Sequence, residues 1–487
     1  MENFETKRIH FIGICGVAMS ALATAFHVRG WKVTGSDVGF FPPISDYLGK
    51  NNITFYAGWH VDKMMENGTP DLVVVGNVAG STNPELLFAQ QQKLNYKSYP
   101  EVVADYIVQP NSLVCAGTYG KTTTTALMTL ILQQAGLQTS YMFGGLSLNV
   151  PMSAKIIDPP TSTEAPATKP IPTQNTWSVL EGDEYKTARW DNRPKFALYS
   201  PTHLLLTSVA WDHADIYPTE ENYFQAFKDL VAMVPEHGLI VAKQDKNIDT
   251  ILTNKLADTR LITYGNAETA DYIYTNVQHT KIGLSFIIKN NNQQYSINSL
   301  VLGEHMAENI CGCFALAAEI GIPPTVIIQT VANFKGIKRR LEKRYEGDIT
   351  IYDDLAHSPA KAGATLKTLR AIYPDSKIIA IFEPNTGNRK PQAAPGYDRA
   401  FADATEVIIP TLTKLKVSET DPEPPIDGQT LKDIIAKTHA QTIFIDNDNN
   451  LIEYIRKNTK KEDVVVFLGS HGFRGMIEEL VHKVTSP

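Results

Sequence analysis

Cysteine is scarce in this chain, with four in 487 residues: Cys15, Cys115, Cys311 and Cys313. Two sit in apolar or glycine-rich runs and two form a C-x-C pair, so zinc-finger spacing is excluded. Buried free thiols in a reducing cytosol are expected instead. Long hydrophobic runs are also missing. No stretch approaches the roughly 20 apolar residues that cross a bilayer. The opening Met1-Glu2-Asn3-Phe4-Glu5 lacks the basic and apolar regions of a secretory signal. Nor is there an excess of positive charge. Lys and Arg number 45 against 52 Asp and Glu, a net charge of −7, which removes any bulk attraction to nucleic acid or an anionic membrane. A soluble cytoplasmic protein is expected, and any anionic ligand must be held by local groups.

What is present is a phosphate cradle. Cys115-Ala-Gly117-Thr118-Tyr119-Gly120-Lys121-Thr122-Thr123-Thr124-Thr125 follows the apolar Leu113-Val114 and precedes a helical run from Ala126 to Ala135. Strand, glycine turn and helix in that order point backbone N–H groups at an anion, and the helix N-terminus adds about half a positive charge. Lys121 can reach the outer phosphates and the Thr122 hydroxyl can ligate magnesium. Cys115 stands where the strict motif has glycine. The plainer reading is a glycine turn with a surface lysine, but four β-branched threonines at a helix start argue for a hydroxyl-rich purpose.

The length suits about three domains, and 43% apolar residues provide their cores. The first domain, about 1–108, opens with strand Arg8–Ile12, the turn Gly13-Ile-Cys-Gly16-Val-Ala-Met19, a helix through Arg29, and strand Lys32–Thr34 ending in Gly35-Ser36-Asp37. This is a βαβ unit whose G-x-x-G turn is an incomplete dinucleotide fingerprint. Strand Asp71–Val75 and the turn Gly76-Asn77 continue the pattern. The second domain, 109–336, holds the cradle and is interrupted at 158–176, where five prolines predict an exposed insertion. The third, 337–487, alternates strands at 349–352, 377–382, 406–410, 441–445 and 463–468 with helices, a second doubly wound unit.

Strand ends of parallel sheets face the ligand crevice. Strand Trp177–Leu180 ends in Glu181-Gly-Asp183-Glu184, and strand His203–Ser208 ends near Asp212-His213. Glu181 is placed like a magnesium carboxylate, and a solvated acidic loop is the alternative. His213 is a second candidate ligand, although magnesium prefers oxygen, and a hydrogen-bonded strand-end histidine is the alternative. His305 and Asn309 share one helical face and either meet a base ring or cap a helix start. The basic run Lys335–Arg344 is most simply a solvated face, with an arginine at a domain junction.

In order along nearly the whole chain, these motifs resemble those of the Mur ligases, ATP-dependent amide-forming enzymes of peptidoglycan synthesis. The Gly13–Met19 turn with Gly35-Ser36-Asp37 is similar to the family's UDP-sugar site, and Gly117–Thr123 to its ATP loop. Glu181-Gly-Asp-Glu-Tyr185 resembles E-A-D-E-Y, Trp211–Ile216 resembles D-H-A-D-I, and Tyr352-Asp-Asp-Leu-Ala-His-Ser-Pro359 resembles Y-D-D-F-A-H-H-P. Glu184-Tyr185, Arg193–Phe196, Glu383-Pro384 and Ser470–Phe473 favour the branch that joins UDP-N-acetylmuramate to a recycled peptide, L-alanyl-γ-D-glutamyl-meso-diaminopimelate; the L-alanine-adding branch is the alternative. A regulatory nucleotide-binding protein with a decayed centre is a third reading. Four positions depart from the family pattern: Tyr119 for histidine, Gly182 for alanine, Ser358 for the second histidine of H-H-P, and Asn385 for arginine.

The resemblance implies three α/β domains: a Rossmann-like UDP-binding domain, a P-loop ATPase domain and a Rossmann-like peptide-binding domain. It implies ATP and magnesium as cofactors, UDP-N-acetylmuramate and a cell-wall peptide as partners, and a monomer or weak dimer that binds no nucleic acid or membrane. Gly13, Gly16, Met19, Ser36, Asp37 and Asn77 would bind the UDP-sugar. Gly117, Thr118, Gly120, Lys121, Thr122, Thr123, His305, Asn309, Arg340 and Asp354 would bind ATP. Thr122, Glu181 and His213 would hold metal, while Lys121, His213, Arg340 and His357 would act in catalysis. Several family members carry a carbamylated lysine about fifteen residues after that histidine, which here is Lys228, an exposed helix lysine on the plainer reading.

Overall fold

The computed structural model describes residues 6–40, 44–157, 175–213, 216–413 and 424–485. The proline-rich stretch therefore lies outside the described residues except at 175–176, as do positions 214 and 215 of the D-H-A-D-I-like motif. Three large sheets follow one another along the chain, and a two-stranded antiparallel one, Lys186–Ala188 with Asp191–Pro194, falls in sequence between strands of the second. The first and nearly all of the second belong to one compact unit, and the third belongs to another together with residues Gln278–Leu284.

The first sheet has five parallel strands in the order Thr54–Ala57, Lys32–Asp37, Arg8–Ile12, Leu72–Val75, Tyr96–Ser98. The order reverses between Arg8–Ile12 and Leu72–Val75, which opens the crevice of a doubly wound sheet beside Gly13 and Gly76. Helix Val17–Val28 buries Leu22, Ala25 and Phe26 against the strands.

The second sheet has ten strands. Its centre is parallel, running Arg260–Gly265, Leu239–Lys243, His203–Leu206, Asn111–Ala116, Thr176–Gly182, Gln138–Met142. Buried on both faces, Leu113, Val114, Cys115, Leu204, Leu205 and Leu206 read as continuous apolar runs. Strands Tyr272–Thr280, Gly283–Asn290 and Gln293–Ser299 extend one edge. Their polar alternation was not recognised in the sequence.

The third sheet runs Glu342–Glu346, Thr350–Asp354, Val464–Gly469, Ile378–Glu383, Glu406–Ile409, Thr442–Phe444, with the first strand antiparallel and the rest parallel. Alternation along a strand sends Ile378, Ala380 and Phe382 into one core and Ile379 and Ile381 into the other. The basic run is not simply a solvated face, because its end forms this edge strand and Arg339 folds inward. The Arg339 guanidinium pairs with buried Asp353 at 3.2 Å and donates to the carbonyls of Gly469, Ser470 and His471 at 2.8, 3.1 and 2.6 Å.

Candidate active site

The cradle forms where strand Asn111–Ala116 passes into helix Lys121–Gln134. Two glycines are required there. Gly117 has φ +137°, and a Cβ would fall 2.1 Å from Thr207 Oγ1; Gly120 has φ +87°, and a Cβ would fall 2.6 Å from Asn309 Oδ1. The loop is fastened to the end of strand His203–Leu206. Thr118 N–H donates to Ser208 O at 2.8 Å, and Thr207 Oγ1 donates to Ala116 O and Tyr119 O at 3.0 and 2.6 Å. Asn309, buried on helix Glu304–Glu319, thus abuts the loop, while His305 on the same helix is exposed.

The threonine run serves the loop backbone. Thr124 Oγ1 donates to the carbonyls of Gly120 and Lys121 at 3.0 Å each, and Thr125 Oγ1 to Lys121 O at 2.7 Å. Those hydroxyls hold the first turn of the helix, which starts at Lys121 rather than Ala126. Thr122 faces the other way and donates to Glu181 Oε1 at 2.7 Å, while Glu181 Oε2 accepts the Gly144 N–H at 2.5 Å. A hydroxyl and a carboxylate in contact beside a phosphate cradle are hard oxygen donors of the kind magnesium takes, so these two residues fit that ion.

His213 belongs to an adjoining cluster. Its φ is +58°. Its Nδ1 is hydrogen-bonded to the Tyr185 hydroxyl at 2.8 Å, its Nε2 lies 3.3 Å from Glu184 Oε1, and its backbone N–H donates to Asp212 Oδ1 at 2.8 Å. Burial opposes the charged imidazole, but the Glu184 hydrogen bond and the charges of Asp212 and Glu184 outweigh it and raise the pKa. Glu184 itself, 1% exposed, meets Lys121 Nζ at 2.9 Å and accepts from the Tyr223 hydroxyl at 3.3 Å. Sequence reading placed Glu184 in the acidic loop without seeing this hub, and Tyr223 and Tyr217 were missed altogether. Tyr223 carries no motif, only a buried position on helix Glu220–Ala232. Lys228 on that helix is partly buried, with no hydrogen bond or ion pair among the described residues.

In the first sheet the predicted sugar-site residues meet at the glycine turn. Gly13 and Ile14 N–H donate to Ser36 O at 2.8 and 3.1 Å, and Cys15 N–H donates to Asp37 Oδ2 at 2.8 Å. Asp37 therefore sets the turn. The Ser36 hydroxyl is fully buried and donates to Glu85 at 2.5 Å, which makes its side chain a support. Asn77 donates to Lys186 O at 3.3 Å. Gly16 begins the helix, and Met19 is buried on it.

In the unit that holds the third sheet, Arg340 is exposed beside Asp354. Burial raises the Asp354 pKa, against the Thr365 hydroxyl, which donates to it at 2.5 Å, and the charge of Arg340. His357 Nδ1 lies 2.7 Å from Leu355 O. Ser358 caps helix Pro359–Ile372 by accepting from Lys361 N–H, which explains a small hydroxyl residue at that position.

Three consecutive models of one family match the chain: the Mur ligase family catalytic domain over residues 8–109, the Mur ligase middle domain over 115–317, and the Mur ligase glutamate ligase domain over 339–471. The chain belongs to the Mur ligase family. This Mur ligase is 28% identical over 490 residues to the UDP-N-acetylmuramate–L-alanyl-γ-D-glutamyl-meso-2,6-diaminoheptandioate ligase of Haemophilus influenzae, covering 98% of this chain and 99% of the relative. It is 27% identical over 481 residues to the UDP-N-acetylmuramate–L-alanine ligase of Brachyspira hyodysenteriae, covering 98% of each. A crystal structure of a murein peptide ligase from Psychrobacter arcticus superposes with a TM-score of 0.69 at 25% identity, covering 99% of both chains. The three α/β domains expected from the motifs are those of this family. No helix among the described residues is long and apolar enough to cross a membrane.

Proposed function

We propose that this Mur ligase joins the lactyl carboxylate of UDP-N-acetylmuramate to the amine of L-alanyl-γ-D-glutamyl-meso-diaminopimelate, with ATP hydrolysed to ADP and phosphate. The observation that carries the reading is the Thr122–Glu181 pair, 2.7 Å apart at the mouth of a glycine cradle that also presents Lys121. Such a site transfers phosphate by positioning and charge stabilisation, and the family's reaction turns that transfer into amide formation.

In the proposed sequence a carboxylate oxygen attacks the γ-phosphorus and ADP departs, leaving an acyl phosphate. The peptide amine then attacks the acyl carbon, phosphate leaves with the carbon–oxygen bond, and the amine gives up a proton. Lys121 neutralises charge on the phosphate in transit. Thr122 and Glu181 hold magnesium, which supplies charge compensation to the triphosphate when bound. His213, held by Glu184 and Tyr185, is proposed to act in the same reaction from the adjoining cluster. Asn309, against Gly120, faces the nucleotide, and the turn at Gly13 takes the UDP-sugar. Arg340, Asp354 and His357 are proposed to serve the nucleotide and acceptor from the third domain.

The similarity to the L-alanine ligase over the same span supports a second reading, in which free L-alanine is the acceptor. Phosphate release with ATP, magnesium and UDP-N-acetylmuramate, offered either acceptor, tests both. Release that depends on the tripeptide supports the proposal, and release with L-alanine alone selects the second reading.

A further inference from the structure

Lys121 does not point freely into the cradle. Its ammonium donates to Gly117 O at 2.7 Å and Thr118 O at 3.3 Å, and pairs with Glu184 at 2.9 and 3.2 Å from the two carboxylate oxygens. Glu184 is 1% exposed and therefore has little water to share its charge. The same carboxylate takes His213 Nε2 at 3.3 Å and the Tyr223 hydroxyl at 3.3 Å. Tyr223 reaches on to Thr118 Oγ1 at 2.9 Å, and Thr118 Oγ1 in turn donates to Ala210 O at 2.8 Å. The backbone carbonyl of Glu184 accepts from Tyr217 at 2.5 Å. One buried carboxylate thus links the phosphate loop, the strand end that carries His213, and helix Glu220–Ala232.

We infer that Glu184 is a positioning residue: it holds the Lys121 ammonium against its own loop and orients the His213 imidazole, and a triphosphate must compete with it for Lys121. This rests on the proposed reading that a nucleoside triphosphate occupies the cradle. An incoming phosphate must displace this buried ion pair, so it gains less from Lys121 than from a lysine in open solvent. The arrangement also couples the two sides of the site. When the lysine turns to phosphate, Glu184 is left with His213 and Tyr223 as its partners, and the imidazole is held more firmly at the moment the triphosphate is seated.

Two effects of opposite sign follow for Glu184→Gln, which keeps the shape and removes the charge. Lys121 is released, so a non-hydrolysable ATP analogue with magnesium binds more tightly, by about three- to tenfold. His213 loses its anionic partner, so kcat for phosphate release falls by at least about tenfold. A merely structural carboxylate gives a lower melting temperature with weaker analogue binding. Analogue binding by calorimetry, kcat, the KM for ATP and the melting temperature are measured on the full chain, wild type and variant. Tighter binding together with lower kcat supports the inference. Unchanged or weaker binding in a folded variant overturns it. If Glu184→Gln does not fold, Glu184→Asp takes its place. Shortening the side chain by one methylene withdraws the carboxylate from Lys121 and His213 together, so the same opposed changes are expected and their absence overturns the inference. Binding of the analogue is read without any muramyl substrate, so a wild type that binds it but turns over neither acceptor refutes the proposed function and not the role of Glu184.

Discussion

Gly182 stands where the family's acidic motif carries alanine, and the space around it is too small for one. A Cβ there would lie 2.7 Å from Ala116 Cβ and 2.8 Å from Val114 Cγ1, on the neighbouring strand that leads into the phosphate loop. The packing makes this glycine part of how closely the Glu181 strand meets the cradle strand. Gly182→Ala is therefore expected to cost about 1–3 kcal/mol, the usual penalty of overpacking, and calorimetric melting checks it; an unchanged melting temperature would mean the strands part without strain. Asp183, one residue on, makes a pH prediction. Burial raises its pKa, but Lys195 at 2.5 Å and the Tyr185 N–H outweigh it, and the folded value lies below the ordinary one. Its contribution to stability is thus complete above the unfolded carboxylate pKa of about 4 and is lost as pH falls through the lower folded value. Lys195→Met removes the larger lowering partner, so the variant is less stable near neutral pH and loses less further stability with acid than wild type does; an acid loss as large as that of wild type would contradict this. Residue types and spacing made Lys121, Thr122, Glu181 and His213 legible. Glu184 as a hub was not, because nothing in sequence says that a loop carboxylate is buried between a lysine, a histidine and a tyrosine from three other segments.

Among the elements, those with strong periodicity were read within a residue or two. Strand Arg8–Ile12 was placed at its observed bounds, and the five parallel strands of the third sheet lie within two residues of theirs. The threonine run was the instructive miss. β-Branching argued against helix, yet Thr124, Thr125 and Thr129 bond carbonyls three or four residues back and are carried into the helix by its packing. The edge strand Glu342–Glu346 was missed because its charges look like a solvated face, whereas Arg339 and Arg344 both turn toward Asp353 at 3.2 Å. Arg339 adopts φ +59°, a strained value for a side chain of its size, and is held there by three carbonyls and that carboxylate. Arg339→Met leaves those acceptors and a buried carboxylate short of a donor, and a loss of about 2–4 kcal/mol is expected. Urea unfolding of the full chain measures it, and an unshifted midpoint would show that Arg344 and water replace Arg339 completely.

For the whole molecule, three α/β domains in succession were legible because strands and helices alternate through each and the motifs follow the family's order. The widening of the central sheet to ten strands was not, since strands Tyr272–Thr280 to Gln293–Ser299 are half polar and lack a chemical motif. The thiols are free, but only Cys115, Cys311 and Cys313 are buried as expected, while Cys15 is half-buried in the glycine turn; burial pushes Cys115 up to about 12. The central claim is that the phosphate loop activates a muramyl carboxylate for amide formation with a peptide. Its most direct measurement is product analysis by mass spectrometry after incubation with ATP, magnesium, UDP-N-acetylmuramate and an equal mixture of L-alanine and the tripeptide. The account predicts the UDP-muramyl tripeptide with one phosphate released per amide formed. A product carrying alanine alone, or no amide at all from a chain that binds ATP, would contradict it.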